Sequence, residues 1–217
     1  MIRNRAIVRG VARRIASAVR RTVSALEEGR IEQEPAFTDR MLGAIEETMH
    51  GFESNGVIWQ AKTFTDRGRN AQETQIGADF AGILSIDLPG FKVKKGFLAQ
   101  AKLLKMDYSF PPYEFERLKQ QSELMLCYSP ESFVFFYSVR GVFVVPAISI
   151  VNSEPRNPFE FYSKSITRFY EEHLESFIGD QRLTAPNIGS IDGLRERLGV
   201  QNLLFLEARD SWNIERS

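Results

Sequence analysis

The chain has 217 residues, of which 43% are hydrophobic and 26% are charged, values that are typical of a globular domain. Its single cysteine, Cys127, excludes an internal disulfide, and the absence of CxxC or Cys/His clusters predicts no structural zinc. No apolar run approaches the roughly 20 residues that span a bilayer, so we expect no membrane partner and a cytoplasmic, reducing location. Cys127 follows an apolar run, which predicts a buried thiol.

Residues 5–27 are predicted to form a basic amphipathic helix. Ile and Val recur every four positions from Ile7 to Val23, and residues 1–25 contain seven arginines and no acid. The rest of the chain has 21 basic and 28 acidic residues, so a formally neutral protein has one positive end. Three interpretations stay open: a packed terminal helix, an organelle-targeting peptide, or a nucleic-acid-binding arm. We treat residues 1–29 as a separate segment and 30–217 as the domain.

The remaining pattern predicts helices alternating with strands. Helices are expected over 38–50, 112–127, 159–178 and 190–198, with Thr38 and Asp39 as capping candidates for the first. Strands are expected over 57–63, 80–88, 96–104, 132–138, 141–147 and 202–207. Residues 65–77 form a polar loop, and Pro89-Gly90 marks a turn. This order predicts an α/β or α+β fold with a mixed central sheet flanked by helices.

Three polar residues stand out around the strands 80–88 and 96–104. Gln100 and Lys102 share one face of the second strand, and Asp79 immediately precedes the first. If the strands pair as a hairpin centred near Phe91-Lys92, Asp79 lies opposite about Leu104, close to Lys102. A carboxylate can hold Mg²⁺, and a lysine can orient a water and offset charge on a phosphate. The grouping therefore predicts phosphodiester chemistry.

Asp79, twenty intervening residues and then Gln100-Ala101-Lys102 resemble the signature of the PD-(D/E)XK nuclease superfamily. The glutamine form is similar to a branch found in some restriction and phage-defence nucleases. The similarity covers about residues 30–150 and implies a restriction-endonuclease-like fold, a Mg²⁺ or Mn²⁺ cofactor and cleavage of DNA. Ala78 stands where the family has proline. Gln100 stands where the family commonly has an acid, which removes one negative charge from the site.

The resemblance assigns roles to further residues. Asp79, Gln100 and the Ala101 carbonyl would bind the metal, and Lys102 would position the attacking water. The candidate supporting acids are Glu34, before the second helix, and Glu73, in the loop. Glu73 is also a candidate metal ligand. Glu46 and Glu47 are expected to face solvent. Nucleic-acid contacts are expected from Lys92, Lys94, Lys95, Gln121, Arg13, Arg14, Arg20 and Arg21.

Two alternatives to an independent enzyme remain. The chain can be a catalytically weak or inactive module on the same fold that binds nucleic acid or a partner protein. It can also be one part of a larger defence system, as a homodimer or with another protein, and have no activity alone. Salt-sensitive DNA binding that survives Asp79→Ala and needs no metal indicates the module, and co-purification with a partner indicates the larger system.

Overall fold

The computed structural model of the chain describes residues 5–65, 76–105, 109–154, 157–184 and 188–211. Its α-helices are α1 (Arg5–Glu27), α2 (Glu34–Met49), α3 (Pro112–Tyr128), α4 (Ala147–Val151), α5 (Ile166–Leu174) and α6 (Ile191–Leu198). Its strands are β1 (Glu53–Ser54), β2 (Val57–Thr65), β3 (Phe80–Leu88), β4 (Phe91–Leu103), β5 (Ser132–Ser138), β6 (Gly141–Pro146), β7 (Lys164–Ser165) and β8 (Asn202–Asp210). Short 3-10 turns cover Pro158–Glu160 and Ile188–Ser190.

The strands form one sheet in the order β1-β2-β8-β3-β4-β5-β6-β7. β3 is parallel to β8 and β4 is parallel to β5, whereas the other neighbouring pairs are antiparallel. The predicted α+β fold with a mixed sheet flanked by helices is therefore confirmed. The connection from β4 to β5 runs through α3, as parallel neighbours require a long crossover rather than a tight turn.

Helices cover both faces of this sheet. α1, α2 and α5 pack on one face against side chains such as Leu84 and Phe97. α3, α4 and α6 pack on the other face, against side chains such as Ile83 and Leu98. Because successive strand residues point to opposite faces, the central strands are apolar on both sides. A polar side chain within them, such as Gln100 of β4, therefore needs a specific partner.

The predicted N-terminal helix is confirmed with the same bounds, since α1 covers Arg5–Glu27. Its apolar stripe is part of the main core: Ile15 and Ala18 are fully buried, and α1 packs on α2 and α5. The arginines of α1 lie on its exposed side. Removal of a cleaved targeting peptide here would expose that core, so the packing favours a permanent helix.

α2 begins at Glu34, four residues before the predicted start. Pro35 explains the difference, because proline fits the first turn of a helix, where its missing N–H is not needed. Thr38 consequently lies inside the helix rather than capping it, and its buried hydroxyl is 3.1 Å from that of Tyr137. The earlier start places the carboxylate of Glu34 in the first turn, where the helix dipole favours a negative charge.

Two predictions in the second half of the chain are wrong. The single helix predicted over 159–178 is replaced by a 3-10 turn, β7 and the shorter α5. Ser165 caps the start of α5, because its hydroxyl accepts the N–H of Arg168 at 3.2 Å. Cys127 is exposed, because it lies on the outer side of α3. The buried positions of that helix are Phe115, Leu118, Ser122 and Met125.

The expected DNA contact by Lys95 is also wrong. β4 begins at Phe91, immediately after the turn, so Lys95 lies inside a strand and is 2% exposed. Its Nζ donates hydrogen bonds to the carbonyl oxygens of His173 and Ile178 near the end of α5. Burial lowers the pKa of Lys95 to about 8, an effect that the charge of Glu131 opposes. Burial, with a smaller contribution from the Lys95 charge, lowers the pKa of His173 to about 3.

Candidate functional site

The hairpin register brings Asp79 next to the Gln-x-Lys sequence. Phe80 pairs with Ala99, so Asp79 lies opposite Gln100. The expected pairing opposite Leu104 is wrong by four residues, because the turn is centred on Pro89-Gly90 and not on Phe91-Lys92. The observed register brings the carboxylate closer to the Gln100 amide than the predicted one.

The carboxylate of Asp79 accepts two short hydrogen bonds through the same oxygen. Gln100 Nε2 donates to Asp79 Oδ2 at 2.5 Å, and the Ala101 backbone N–H donates to it at 2.7 Å. Burial raises the pKa of Asp79 to about 6, and the negative charge of Glu34 adds to this rise. The bond from Ala101, the positive charge of Lys102 and the bond from Gln100 oppose it. The carboxylate is thus held in a half-buried position where a positive charge would stabilise it.

Lys102 and Glu34 form the outer part of the site. Lys102 Nζ lies 3.6 Å from Glu34 Oε1, and their side chains are 24% and 29% exposed. Glu34 Oε2 accepts the backbone N–H of Leu103 at 2.8 Å. β4 extends beyond the first residue of β3, so the N–H groups of Ala101 and Leu103 meet these two carboxylates instead of a neighbouring strand. Asp79, Gln100, Lys102 and Glu34 therefore converge at one end of the sheet, partly open to solvent.

Gly77 sets the turn that delivers Asp79 to β3. It has a φ of 74°, and a Cβ atom there would lie 2.4 Å from the backbone carbonyl oxygen of Gln121 on α3. Ala78, which immediately precedes Asp79, is fully buried. The turn is thus fixed by a positive φ and close packing on α3. Gln121 lies beside this turn, half-buried, and its Oε1 has no hydrogen-bond partner among the described residues.

Asn202 and Tyr137 adjoin the site, and neither was singled out from the sequence. The Asn202 backbone N–H donates to the Asp79 carbonyl at 3.3 Å, and its side-chain Nδ2 donates to Asp39 on α2 at 2.9 Å. It therefore links the start of β3 to the helix that carries Glu34. Burial raises the pKa of Tyr137 well above its usual range, and the charges of Asp79 and Glu34 raise it further. The only sequence signal for Asn202 was a polar residue at the start of an apolar strand.

Of the remaining predicted site residues, those that the structure describes lie elsewhere. Glu73 lies outside the described residues. Lys92 and Lys94 are exposed near the hairpin turn, and Lys92 pairs with Asp87 at 2.8 Å. With roughly 3.3 Å per residue, Lys92 is about 25 Å along β4 from Gln100. Glu46, expected to face solvent, is half-buried and accepts the N–H of Thr63 at 2.9 Å.

The predicted arginine contacts divide into two groups. Arg14 donates to the Thr48 carbonyl at 2.9 Å and lies 4.2 Å from the centre of the Phe52 ring. Arg21 donates to the Thr48 hydroxyl at 2.6 Å. Arg13 and Arg20 are exposed on the outer side of α1. Only the second pair is therefore directed away from the protein.

The site offers oxygen ligands but few charges. Among the described residues, no group of three or more His, Cys, Asp or Glu side chains is arranged to hold a metal. Two carboxylates, the Gln100 amide and the Ala101 carbonyl remain as potential oxygen donors. Gln100 is 1% exposed, and its Oε1 has no hydrogen-bond partner within the described part of the chain. A half-turn of the amide would present this oxygen to the position now occupied by Nε2.

A purely structural function is also available to these carboxylates, because each satisfies a backbone N–H group at the end of β4. In the described part of the chain, no helix combines the length and apolar composition of a membrane span. Comparison of the chain with protein-family models, curated proteins and solved structures found no match.

Proposed function

We propose that the chain is a divalent-metal-dependent nuclease that cleaves phosphodiester bonds of DNA. The observation that carries this proposal is the pairing of Asp79 with Gln100 across the hairpin, with Lys102 two residues further along the same strand. The resemblance in the order of elements supports it, since α2 precedes the hairpin and α3 with the parallel β5 follows it. Glu34 on α2 supplies the supporting acid at this site.

The residues present fit Mg²⁺ or Mn²⁺. Mg²⁺ is commonly bound by one or two carboxylates and keeps several waters, so Asp79 and Glu34 suffice as charged ligands. The Ala101 carbonyl and the unpartnered Oε1 of Gln100 are further oxygen donors. The raised pKa of Asp79 indicates a half-buried carboxylate that lacks a full counter-charge. When bound, the metal would polarise the scissile phosphate and lower the pKa of a coordinated water.

The protein's own side chains position the reactants. Lys102 Nζ is partly exposed and can donate hydrogen bonds to the attacking water or to a phosphate oxygen. Glu34 keeps this ammonium near the site, and the Leu103 N–H in turn fixes the Glu34 carboxylate. Gln100 holds the Asp79 carboxylate in one orientation. This division makes Lys102 a catalytic residue and makes Gln100 a positioning residue.

A second candidate is a non-catalytic module that binds nucleic acid or a partner protein. The observation that favours it is that both carboxylates already accept backbone N–H groups, while Gln100 replaces an acid. Such a site can keep its geometry without binding a cation. The resemblance to restriction and phage-defence nucleases suggests a cytoplasmic role in defence or DNA processing, as a homodimer or with a partner protein.

The test is cleavage of plasmid DNA by the purified chain with Mg²⁺ or Mn²⁺. We expect degradation that stops with EDTA and falls by about 100-fold or more in Lys102→Ala, because a group that stabilises charge in the transition state is lost. Arg209→Ala, which removes an exposed arginine at the opposite end of β8 from Asn202, serves as the control and should retain full activity.

Equal melting temperatures for the wild type, Lys102→Ala and Arg209→Ala establish that all three are folded. Undiminished cleavage by folded Lys102→Ala contradicts the proposed role. Metal-independent DNA binding that survives Asp79→Ala, with no cleavage by the wild type, favours the binding module instead.

A further inference from the structure

Four arginines lie in a row along the outer side of α1. Arg5, Arg9, Arg13 and Arg20 are all exposed, and within the described residues none of them forms an ion pair. We call this row the arginine surface. A set of uncompensated charges on one rigid element is a feature of surfaces that bind polyanions.

The helix geometry spaces neighbouring charges by about 6 Å from Arg5 to Arg13, where they follow at four-residue spacing, and by about 10.5 Å from Arg13 to Arg20. The whole row from Arg5 to Arg20 extends over roughly 22 Å. The residues beside it are small and exposed, namely Gly10, Ser17 and Ser24. A Cβ added to Gly10 would have no atom within 4 Å. Another molecule can therefore approach the helix backbone closely.

The opposite side of α1 is not available for binding. Val11, Ala12, Ile15 and Ala18 are fully buried in the main core. A bilayer-surface helix requires an exposed apolar face, and α1 has none to offer. A partner helix would also need large apolar side chains on the exposed face, which carries only arginines and small residues along this row. The surface is thus suited to a charged partner.

The chemistry of the surface also indicates the form of that partner. Proteins that bind single-stranded nucleic acid combine positive charge with aromatic side chains on which bases stack. α1 contains no aromatic residue. A duplex presents phosphates at high linear density and requires no stacking partner. Hydrogen bonds from arginine to phosphate would position a duplex without reading its sequence.

We propose that the arginine surface binds the phosphate backbone of double-stranded nucleic acid. The proposal rests on the proposed function, because it names the form of substrate that the nuclease site would receive. It assigns binding to Arg5, Arg9, Arg13 and Arg20. Arg14 and Arg21 are excluded because both already bind Thr48 of α2. The chain from Arg20 leads through the end of α1 to Glu34, the first residue of α2, which contributes to the site.

The experiment measures binding of a fluorescently labelled DNA duplex by anisotropy, with EDTA present to prevent cleavage. The full chain is compared with a triple variant carrying Arg9→Gln, Arg13→Gln and Arg20→Gln, over a series of salt concentrations. Each phosphate contact contributes about 0.9 to the slope of log affinity against log salt. We expect the triple variant to lose about 2 to 3 from this slope and roughly 100-fold or more in affinity at moderate salt. Arg209→Gln, which removes one exposed positive charge at the opposite end of β8 from Asn202, is the control and should change neither quantity.

Several results would overturn the inference. One is an unchanged salt slope in the triple variant, and another is wild-type binding to heparin or anionic vesicles but not to the duplex. Stronger binding of single-stranded DNA than of the duplex also overturns it. The two proposals fail separately. Arginine-dependent duplex binding without Mg²⁺-dependent cleavage refutes only the nuclease, whereas cleavage with arginine-independent binding refutes only the arginine surface.

Discussion

Replacing Asp79 by asparagine tests whether the ionised carboxylate destabilises the metal-free fold. It also tests whether a bound cation removes that destabilisation. Burial raises the pKa of Asp79 from 3.8 to about 6. At about 1.4 kcal/mol per pKa unit, this shift sets a ceiling of about 3 kcal/mol. Asp79 is only half-buried, so solvent screening reduces the effect, and we expect about 1–2 kcal/mol.

The direction of the pKa shift determines whether Asp79 stabilises or destabilises the fold at a given pH. A carboxyl group with a raised pKa stabilises the fold fully below pH 3.8 and loses that contribution as the pH rises through about 6. At pH 8 the ionised Asp79 therefore weakens the metal-free protein. Asparagine has no charge, and its oxygen can still accept the N–H of Ala101. Asp79→Asn should raise the melting temperature at pH 8 in EDTA by about 2–8 °C.

Thermal unfolding of the wild type and Asp79→Asn, at pH 8 and pH 5, provides the assay. The difference should shrink at pH 5, where Asp79 is mostly protonated. Excess Mg²⁺ or Mn²⁺ at pH 8 should stabilise the wild type but not the variant. The control is Asp87→Asn, whose carboxylate is exposed and paired with Lys92, and it should change the melting temperature little. A less stable Asp79→Asn at pH 8, or an equal gain at both pH values, would refute this reasoning.

Three further predictions concern the supports of the site and the core. A positive φ alone makes a Gly→Ala substitution cost about 1–3 kcal/mol, and Gly77→Ala should destabilise the fold by more than this because the new Cβ also meets the α3 backbone. Chemical denaturation measures the loss. Gly29→Ala is the control, because Gly29 also has a positive φ but has open space around it. The wild type should lose about 2 kcal/mol of unfolding free energy relative to His173→Asn between pH 7 and pH 5, because a buried histidine with a pKa near 3 destabilises the fold increasingly as the pH falls below 6.5. Parallel pH profiles of stability for the two proteins would contradict this. Asn202 holds α2 through Asp39, and the Leu103 amide donates to Glu34 of the same helix, so Asn202→Ala should speed hydrogen exchange at the Leu103 amide. Distant core amides should keep their protection. Uniform acceleration would indicate a general loss of stability instead.

The sequence predicted those elements whose bounds follow from local pattern. α1, β3 and β5 have the expected limits, because a four-residue apolar repeat or an unbroken apolar run ends at clear polar or turn residues. The start of α2 was missed because Thr38 was a better capping candidate by residue type than Gln33, although Pro35 already fits the first turn. Local preferences compete at such boundaries, and tertiary packing decides between them.

The candidate site was predicted in part for the same reason. Asp79, Gln100 and Lys102 belong to one hairpin, so short-range reasoning placed them together even with the wrong register. Glu34 was one of two candidates for the supporting acid, and the structure brings it to Lys102. Asn202 could not be predicted, because its contacts depend on which strands lie beside β8. That order is a property of the whole sheet.

The position of β8 has a consequence for how the protein is made. This strand is the last described element of the chain, yet it lies between β2 and β3 in the middle of the sheet. During synthesis, β2 and β3 must each wait with an open edge until residues 202–210 have left the ribosome. We therefore expect nascent chains that stop before Asn202 to aggregate or recruit chaperones. The end of the sheet that carries Asp79 and Lys102 should assemble only after β8 has been translated.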